Sequence, residues 1–236
     1  MARCRGYIAI TEEHEERRYV HIIDENGQEA AVLETTGAEL RKLVALKTGD
    51  WWTDFLIGQQ HYVFHVRDQG VISSTDVAQE DIWDYANLIA CGDILFHVSK
   101  GAKHGAYHDL SIAAISDEGV LWQRTMSADR VLLGITQIYE DSAGGYTLLG
   151  EATANSRQIY DVFRLHVDDD WNITSLDMRT CDYLHSYDYG FIFDDPFGPD
   201  MIHASSPPAA NQQYHDVLVP FDVLPASGND HHIRIH

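Results

Sequence analysis

The sequence predicts an all-β chain, and three observations carry that prediction. Turn residues recur about every 45 to 50 residues, each interval holds four strand-like runs, and some runs are apolar on both faces. A unit of that length with four strands is the size of a β-propeller blade. About five such blades fill the 236 residues as a single domain, with units at 6–36, 37–78, 79–126, 127–178 and 179–236.

The third strand of each unit is the easiest to place. YDVFRLHVDDDWN has apolar residues two and four positions before Asp169 (Val167, Leu165), with turn residues after it. Val20, Ile22 and Asp24 repeat that arrangement, as do Phe64, Val66 and Asp68, and Ala113, Ile115 and Asp117. A worn fifth copy is VLVPFDV, with Val219, Phe221 and Val223 and its Asp out of register. Positions 24, 68, 117, 169 and 223 are separated by 44, 49, 52 and 54 residues.

Upstream of each copy lies the second strand: GYIAIT, TDFLIG, DILFHVS, GYTLLGE and DMIHASS. Four units have a first strand ending in a Gly-containing turn: LRKLVALKTGD, YANLIACGD, GITQIYEDSAGG and YGFIFDDPFG. Gly in such a turn supplies the positive φ that a tight hairpin requires. The last strands are QEAAVL, VISSTD, VLWQRT, NITSLDM and, for the fifth unit, HHIRIH. Only MARCR precedes the second strand of the first unit, so the first blade is incomplete or is closed by the C-terminal strand. GAELRKLVAL (37–46) is the one segment that also reads as a helix.

Burial on both faces decides between architectures. A strand with one wet face alternates apolar and polar residues. In the fourth unit Tyr160 and Val162 occupy one parity and Phe163, Leu165 and Val167 the other, and Leu148 sits beside Leu149. Both faces of that sheet must be covered, as when a blade lies between two others. A closed ring would also bring residues 1–11 close to residues 223–236.

GITQIYEDSAGGYTLLGEATANSRQIYDVFRLHVDDD resembles β-propeller repeats of the WD40-like kind common in bacterial proteins, without their Trp-Asp signature. The resemblance spans about residues 6 to 236 and implies a fold class, not an activity. ISDEGVLW (115–122) is similar to the Asp-box of sialidase-type propellers, which implies a structural turn.

Charge narrows the partners. The chain carries 37 acids against 16 Lys and Arg, a formal net charge of -21. Such a field repels phosphate backbones and anionic lipid and attracts a basic protein, although salt adaptation produces the same composition. Nucleic acid and membrane are therefore not expected as partners. MARCRGYIAI lacks an apolar signal region, and Cys4, Cys91 and Cys181 form no disulfide framework, so the expected location is cytoplasmic.

No cofactor or metal is expected. His61 and His65 share a strand face but stand roughly 13 Å apart. His104 and His108 flank GAY with no carboxylate set nearby, and DEN (24–26) and DDD (168–170) read as acidic turns without calcium-loop spacing. No GxSxG, paired Cys–His or phosphate loop is present, and acids are too abundant for a catalytic carboxylate pair to stand out.

The densest candidate site is RTCDYLHSYDYG (179–190), where Tyr183, His185, Tyr187 and Asp188 follow one another closely. WDYAN adds Trp83 and Tyr85, and the loops SKGAKHGAY, ATANSRQ and SSPPAANQQ add His104 and Arg157. Aromatic and Arg side chains anchor interfaces at low entropic cost, although positions 183 to 189 also fit an ordinary strand face. Asp84, Asp129 and Asp182 lie in the same connections. The expectation is a non-catalytic acidic protein that captures a basic partner through one loop face, such as an immunity or inhibitor protein of a bacterial toxin. The alternative is a carbohydrate-active propeller, either a glycoside hydrolase or a lectin.

Overall fold

The computed structural model describes residues 2–4, 7–14, 17–24, 26–34, 38–46, 51–57, 60–67, 70–77, 86–104, 107–116, 118–129, 131–142, 144–154, 160–181, 201–206, 215–229 and 231–236. These form antiparallel sheets with no α-helix among them, so the all-β expectation holds. None of the described helical structure is long and apolar enough to cross a membrane. Two compact units divide the chain: Met1–Lys100 with Ser111–Gln123, and Gly101–Leu110 with Arg124–His236.

The first unit contains two complete four-stranded sheets, each in simple sequence order. The first is β1 (Ala2–Cys4), β2 (Tyr7–His14), β3 (Arg17–Ile23) and β4 (Glu29–Glu34). The second is β5 (Ala38–Ala45), β6 (Trp51–Ile57), β7 (Gln60–Arg67) and β8 (Gly70–Val77). The segment that also read as a helix is thus the strand β5, where pairing to β6 overrides a helical propensity worth only tenths of a kcal/mol per residue.

A third sheet is built from β9 (Ala86–Cys91), β10 (Ile94–His104), β11 (Tyr107–Ser116) and β12 (Gly119–Ser127). Within the first unit, β1 lies beside β5 and β5 beside β9, so the leading strands of successive sheets are neighbours. Val44, Trp52 and Val63 of the second sheet pack on Leu88, Leu95 and Ile115 of the third. Trp52 stacks on His65 with ring centroids 4.4 Å apart, and the Lys42 ammonium donates to Asn87 Oδ1.

The second unit is centred on β13 (Val131–Glu140), β14 (Tyr146–Ala154), β15 (Tyr160–Val167) and β16 (Ile173–Cys181). Leu148, Leu149, Val162, Phe163 and Leu165 are all fully buried, so the two inner strands β14 and β15 are covered on both faces as their two apolar parities require. The hairpin turn between β13 and β14 depends on Gly145. Its φ is +82°, its N–H donates to Asp169 Oδ1 at 2.9 Å, and a Cβ there would collide with the Val167 carbonyl.

The repeat extends to local irregularities. The pairing of third and fourth strands shifts register at Ile22/Ile23, at His65/Val66 and at His166/Val167. First-to-second pairings shift at Leu40/Lys42 and Ile135/Gln137. A bulge adds local twist, and recurrence at the same place before the third turn in three sheets marks it as part of the repeat. It also corrects the alignment of the turns: the structural counterpart of Asp24 is Asp168, not Asp169. Asp24 Oδ1 accepts from the N–H groups of Asn26 and Gln28, and Asp168 Oδ1 accepts from those of Asp170 and Asn172.

The C-terminal residues depart from expectation. Among the described residues the fifth unit supplies two paired strands, β17 (Met201–Ser206) and β18 (His215–Pro220). YGFIFDDPFG lies outside the described residues. HHIRIH does not complete that unit, nor does it join the first sheet, which has its own short β1. Its strand β19 (Arg234–Ile235) instead adds to the outer edge of β12, making the third sheet five-stranded.

The reason lies in the worn repeat VLVPFDV. Where other units continue into a strand turn, Phe221–Val223 makes a single 3-10 turn. Phe221 is buried there beneath the Arg164 and Arg179 guanidiniums, 4.4 and 5.8 Å from its ring centroid. The following residues run as a strap along the edge of β16: the Thr180 N–H donates to the Pro225 carbonyl and the Ser227 N–H to that of Met178.

Candidate functional site

The residues singled out from sequence fall mainly in connections the structure does not describe. Trp83, Tyr85, Arg157, Tyr183, His185, Tyr187 and Asp188 lie outside the described residues, as do Asp84 and Asp182. His104 ends β10, with its side chain likewise outside them. Asp129 follows β12 and faces the Arg234 guanidinium through contacts of 3.1 and 3.3 Å, so the strap already engages this acid.

The described charge gathers elsewhere. In a four-stranded antiparallel sheet the first and third turns share one end and the middle connection takes the other. Asp24 and Asn26 sit in the third turn of the first sheet and Asp93 in the first turn of the third. Glu118 closes the turn between β11 and β12. Asp141 lies between β13 and β14, with Asp168, Asp169 and Asp170 between β15 and β16. Each unit therefore presents acidic turns at one end of its sheets.

Hydrogen bonding keeps two of these acids ionised. The Gln28 N–H, with the Asn26 side chain and backbone and the Gly27 N–H, holds the Asp24 carboxyl below its usual range. Asn172 does the same for Asp168 through its side chain and N–H, supported by the Asp170 N–H. Each bond favours the charged form of its acceptor. These are Asx-turns as the sequence suggests, and their charge persists into acid.

Two histidine–carboxylate groups of the second unit were not singled out from the sequence. Asp161, buried on β15, accepts from Thr180 Oγ1 at 2.9 Å and Asn229 Nδ2 at 2.7 Å, and pairs with His231 Nε2 at 2.8 Å. Burial alone would raise this carboxyl, but bonds from Asn229, His231, Thr180 and Ser227 together outweigh it and hold it below the ordinary aspartate range. His231 and Asp161 are 70 residues apart in sequence, so no local signal pairs them. The group fastens the strap to the fourth sheet.

The other group is Thr147, His166 and Asp141. His166 Nδ1 lies 2.8 Å from Thr147 Oγ1 and 3.0 Å from Asp141 Oδ2. A nucleophile–base–acid relay uses the two ring nitrogens separately. Here both partners meet the same nitrogen, and the group braces the hairpin turn instead. Among the described residues no cluster of three His, Cys, Asp or Glu side chains is arranged to hold a metal ion.

Glu151 stands apart. It lies on β14 opposite Gly134 and Val162, and burial pushes its carboxyl up to about 7 although part of the side chain stays accessible. The visible signal was a lone acid in the apolar run LLGEATA, hidden by the abundance of acids elsewhere.

Comparison with known proteins adds little. No protein-family model and no curated protein matches the chain. A solved structure similar to it is that of a protein of unknown function from Bacteroides caccae. That protein is 11% identical, the match covers 96% of this chain and 81% of that one, and the TM-score is 0.45.

Proposed function

We propose that the chain is a non-catalytic, acidic binding protein, built as a propeller-type array of four-stranded sheets, that captures a basic protein partner. The observation that carries this reading is the recurrence, within each unit, of acids in the tight turns at one end of its sheets, one acid in each unit being held ionised by its own turn. Fixed negative charge raises the rate at which a basic surface arrives and suppresses acidic competitors. The neighbouring leading strands and the bulges repeated from unit to unit support the propeller reading. Inhibition of a basic toxin is a role of this chemistry. Tyr183, His185 and Tyr187, with Trp83 and Tyr85, are the proposed anchoring side chains.

The test is capture from host lysate at low salt by three proteins. These are the wild type, Tyr187→Ala, and a quadruple variant carrying Asp93→Asn, Glu118→Gln, Glu140→Gln and Asp170→Asn at exposed positions. The wild type should retain a basic protein that added salt releases. The quadruple variant should lose most of the association rate, and Tyr187→Ala about tenfold in affinity. Capture that is indifferent to salt and to all five substitutions would overturn the proposal.

A second reading, action on carbohydrate, draws on Glu151, whose raised carboxyl has the character of a general acid. Hydrolysis of a glycoside that disappears in Glu151→Gln while folding is retained would establish it in place of the first.

A further inference from the structure

The outer edge of β16 carries two different occupancies along its length. At Met178–Thr180 it is paired to the strap, through Thr180 N–H to Pro225 O and Ser227 N–H to Met178 O, both 2.9 Å. After Ser227 the strap peels away, and Asn229 and His231 bend over to reach Asp161. From Ile173 to Asp177 the described residues pair β16 with β15 alone.

The register fixes what that open stretch presents. Alternation places the N–H and C=O of Leu176 on the same outer edge as those of Met178 and Thr180, which the strap uses. Leu176 stands opposite Leu165, and Ile173 opposite Val167, so the two side chains share one face of the sheet. Each is 37% exposed. The turn that begins this strand is the acidic run Asp168, Asp169 and Asp170, with Asp169 and Asp170 exposed. An open edge with apolar side chains is a template for another strand, and natural edges are usually blunted by Lys or Pro. This one has neither from Ile173 to Asp177.

We propose that Ile173–Asp177 is a docking strip for an extended, basic segment of a partner protein, which adds to β16 as an antiparallel strand continuing the line of the strap. The strap shows that this edge accepts an antiparallel chain. Apolar side chains of the incoming segment cover Ile173 and Leu176, and its Lys or Arg residues face the Asp168–Asp170 turn. Backbone bonds supply affinity in such β-augmentation, and alternate side chains supply the selectivity. The inference rests on the basic-partner reading and names where that partner binds.

The probe is a synthetic nonapeptide alternating Lys and Val, compared with the same peptide carrying a central Pro. Amide hydrogen exchange and titration at low salt are the readouts, on the wild type, Leu176→Lys and Asp170→Asn. The Lys-Val peptide should slow exchange of the Leu176 amide at least tenfold, and the Pro peptide should not. Leu176→Lys, at an exposed position, should weaken binding tenfold or more with an unchanged thermal midpoint, and Asp170→Asn should reduce its salt sensitivity. Binding without protection at Leu176 would overturn the docking strip while leaving the basic-partner reading intact. No binding at low salt would overturn the strip, and the lysate capture then decides the broader reading separately. A dimer of this chain that Leu176→Lys abolishes would assign the edge to a second copy and overturn the proposal.

Discussion

The first and fourth sheets have the same order of strands and the same bulge before the acidic turn, yet they differ in how they are buried. In the fourth sheet Leu148, Leu149, Val162 and Phe163 lie on both faces and all are inaccessible. In the first, Val20 and Ile22 are fully buried on one face, whereas Ile10 and Val32 on the other are 44% and 41% exposed. Ile10, His21 and Val32 form one cross-strand row there, with His21 between the carboxylates of Glu29 (2.7 Å) and Glu12 (3.1 Å). RRYVHII alternates where YDVFRLHV does not. The sequence of a strand therefore records how many of its faces are covered, independently of the turn chemistry that makes it a repeat.

The largest effect should separate the two sheets directly. Phe163→Ala should cost about 3 to 5 kcal/mol, because the cavity opens in a strand buried on both faces. Ile10→Ala should cost less than about 1 kcal/mol. Equilibrium urea unfolding measures both, and equal losses would mean that the contrast in burial has no energetic meaning.

Next in size is the Asp161 anchor of the fourth sheet. Asp161→Ala strands the donors of Thr180, Asn229 and His231 and should cost about 2 to 4 kcal/mol. Its pH dependence has a definite sign. The folded carboxyl lies below its ordinary value, so its contribution is complete above the ordinary aspartate range and is lost as pH falls through the folded value. The gap between wild type and variant should therefore close in acid. A gap that widened there would show that the bonds do not favour the ionised form.

Glu151 tests the same sheet in the opposite direction. Its carboxyl is raised to about 7, so the folded state holds a proton that the unfolded chain has released, and stability falls as pH rises from the ordinary glutamate range to about 7. Glu151→Gln should escape that loss and gain about 2 kcal/mol over wild type at pH 8, allowing for the accessible part of the side chain. The gain should be small at pH 4. Thermal melts across that range would show it, and a constant difference would place the charge in water. Asp24→Asn in the first sheet should have the smallest effect, confined to its own turn and fading as pH falls through the depressed carboxyl value.

Much of the strand order was legible because it is written in short-range chemistry. Gly144 and Gly145 announced their turn and indeed have positive φ, and Asp24 and Asp168 closed theirs through bonds two and four residues away. The one-residue slip between Asp168 and Asp169 arose because β15 is apolar on both parities, so Leu165 and Val167 offered a matching apolar pair one residue out of step with the turn. The strap was not legible, since Arg179–Ala226 and Met126–Ile235 pair residues far apart in sequence. A two-residue strand carries no periodicity of its own. The aromatic connections chosen as a binding site were selected on composition, and their residues lie outside those described.

The strap also bears on time rather than on energy alone. Its ties join residues 70 apart at Asp161–His231 and 105 apart at Asp129–Arg234. Closing loops of that length is entropically costly, and contacts of such range form late on the folding route, after the local hairpins. Interactions missing from the transition state set how fast a protein comes apart, not how fast it assembles. In a chevron, Asp161→Asn should then raise the unfolding limb and leave the refolding limb where it was. The strap would act as a latch on the lifetime of the folded second unit.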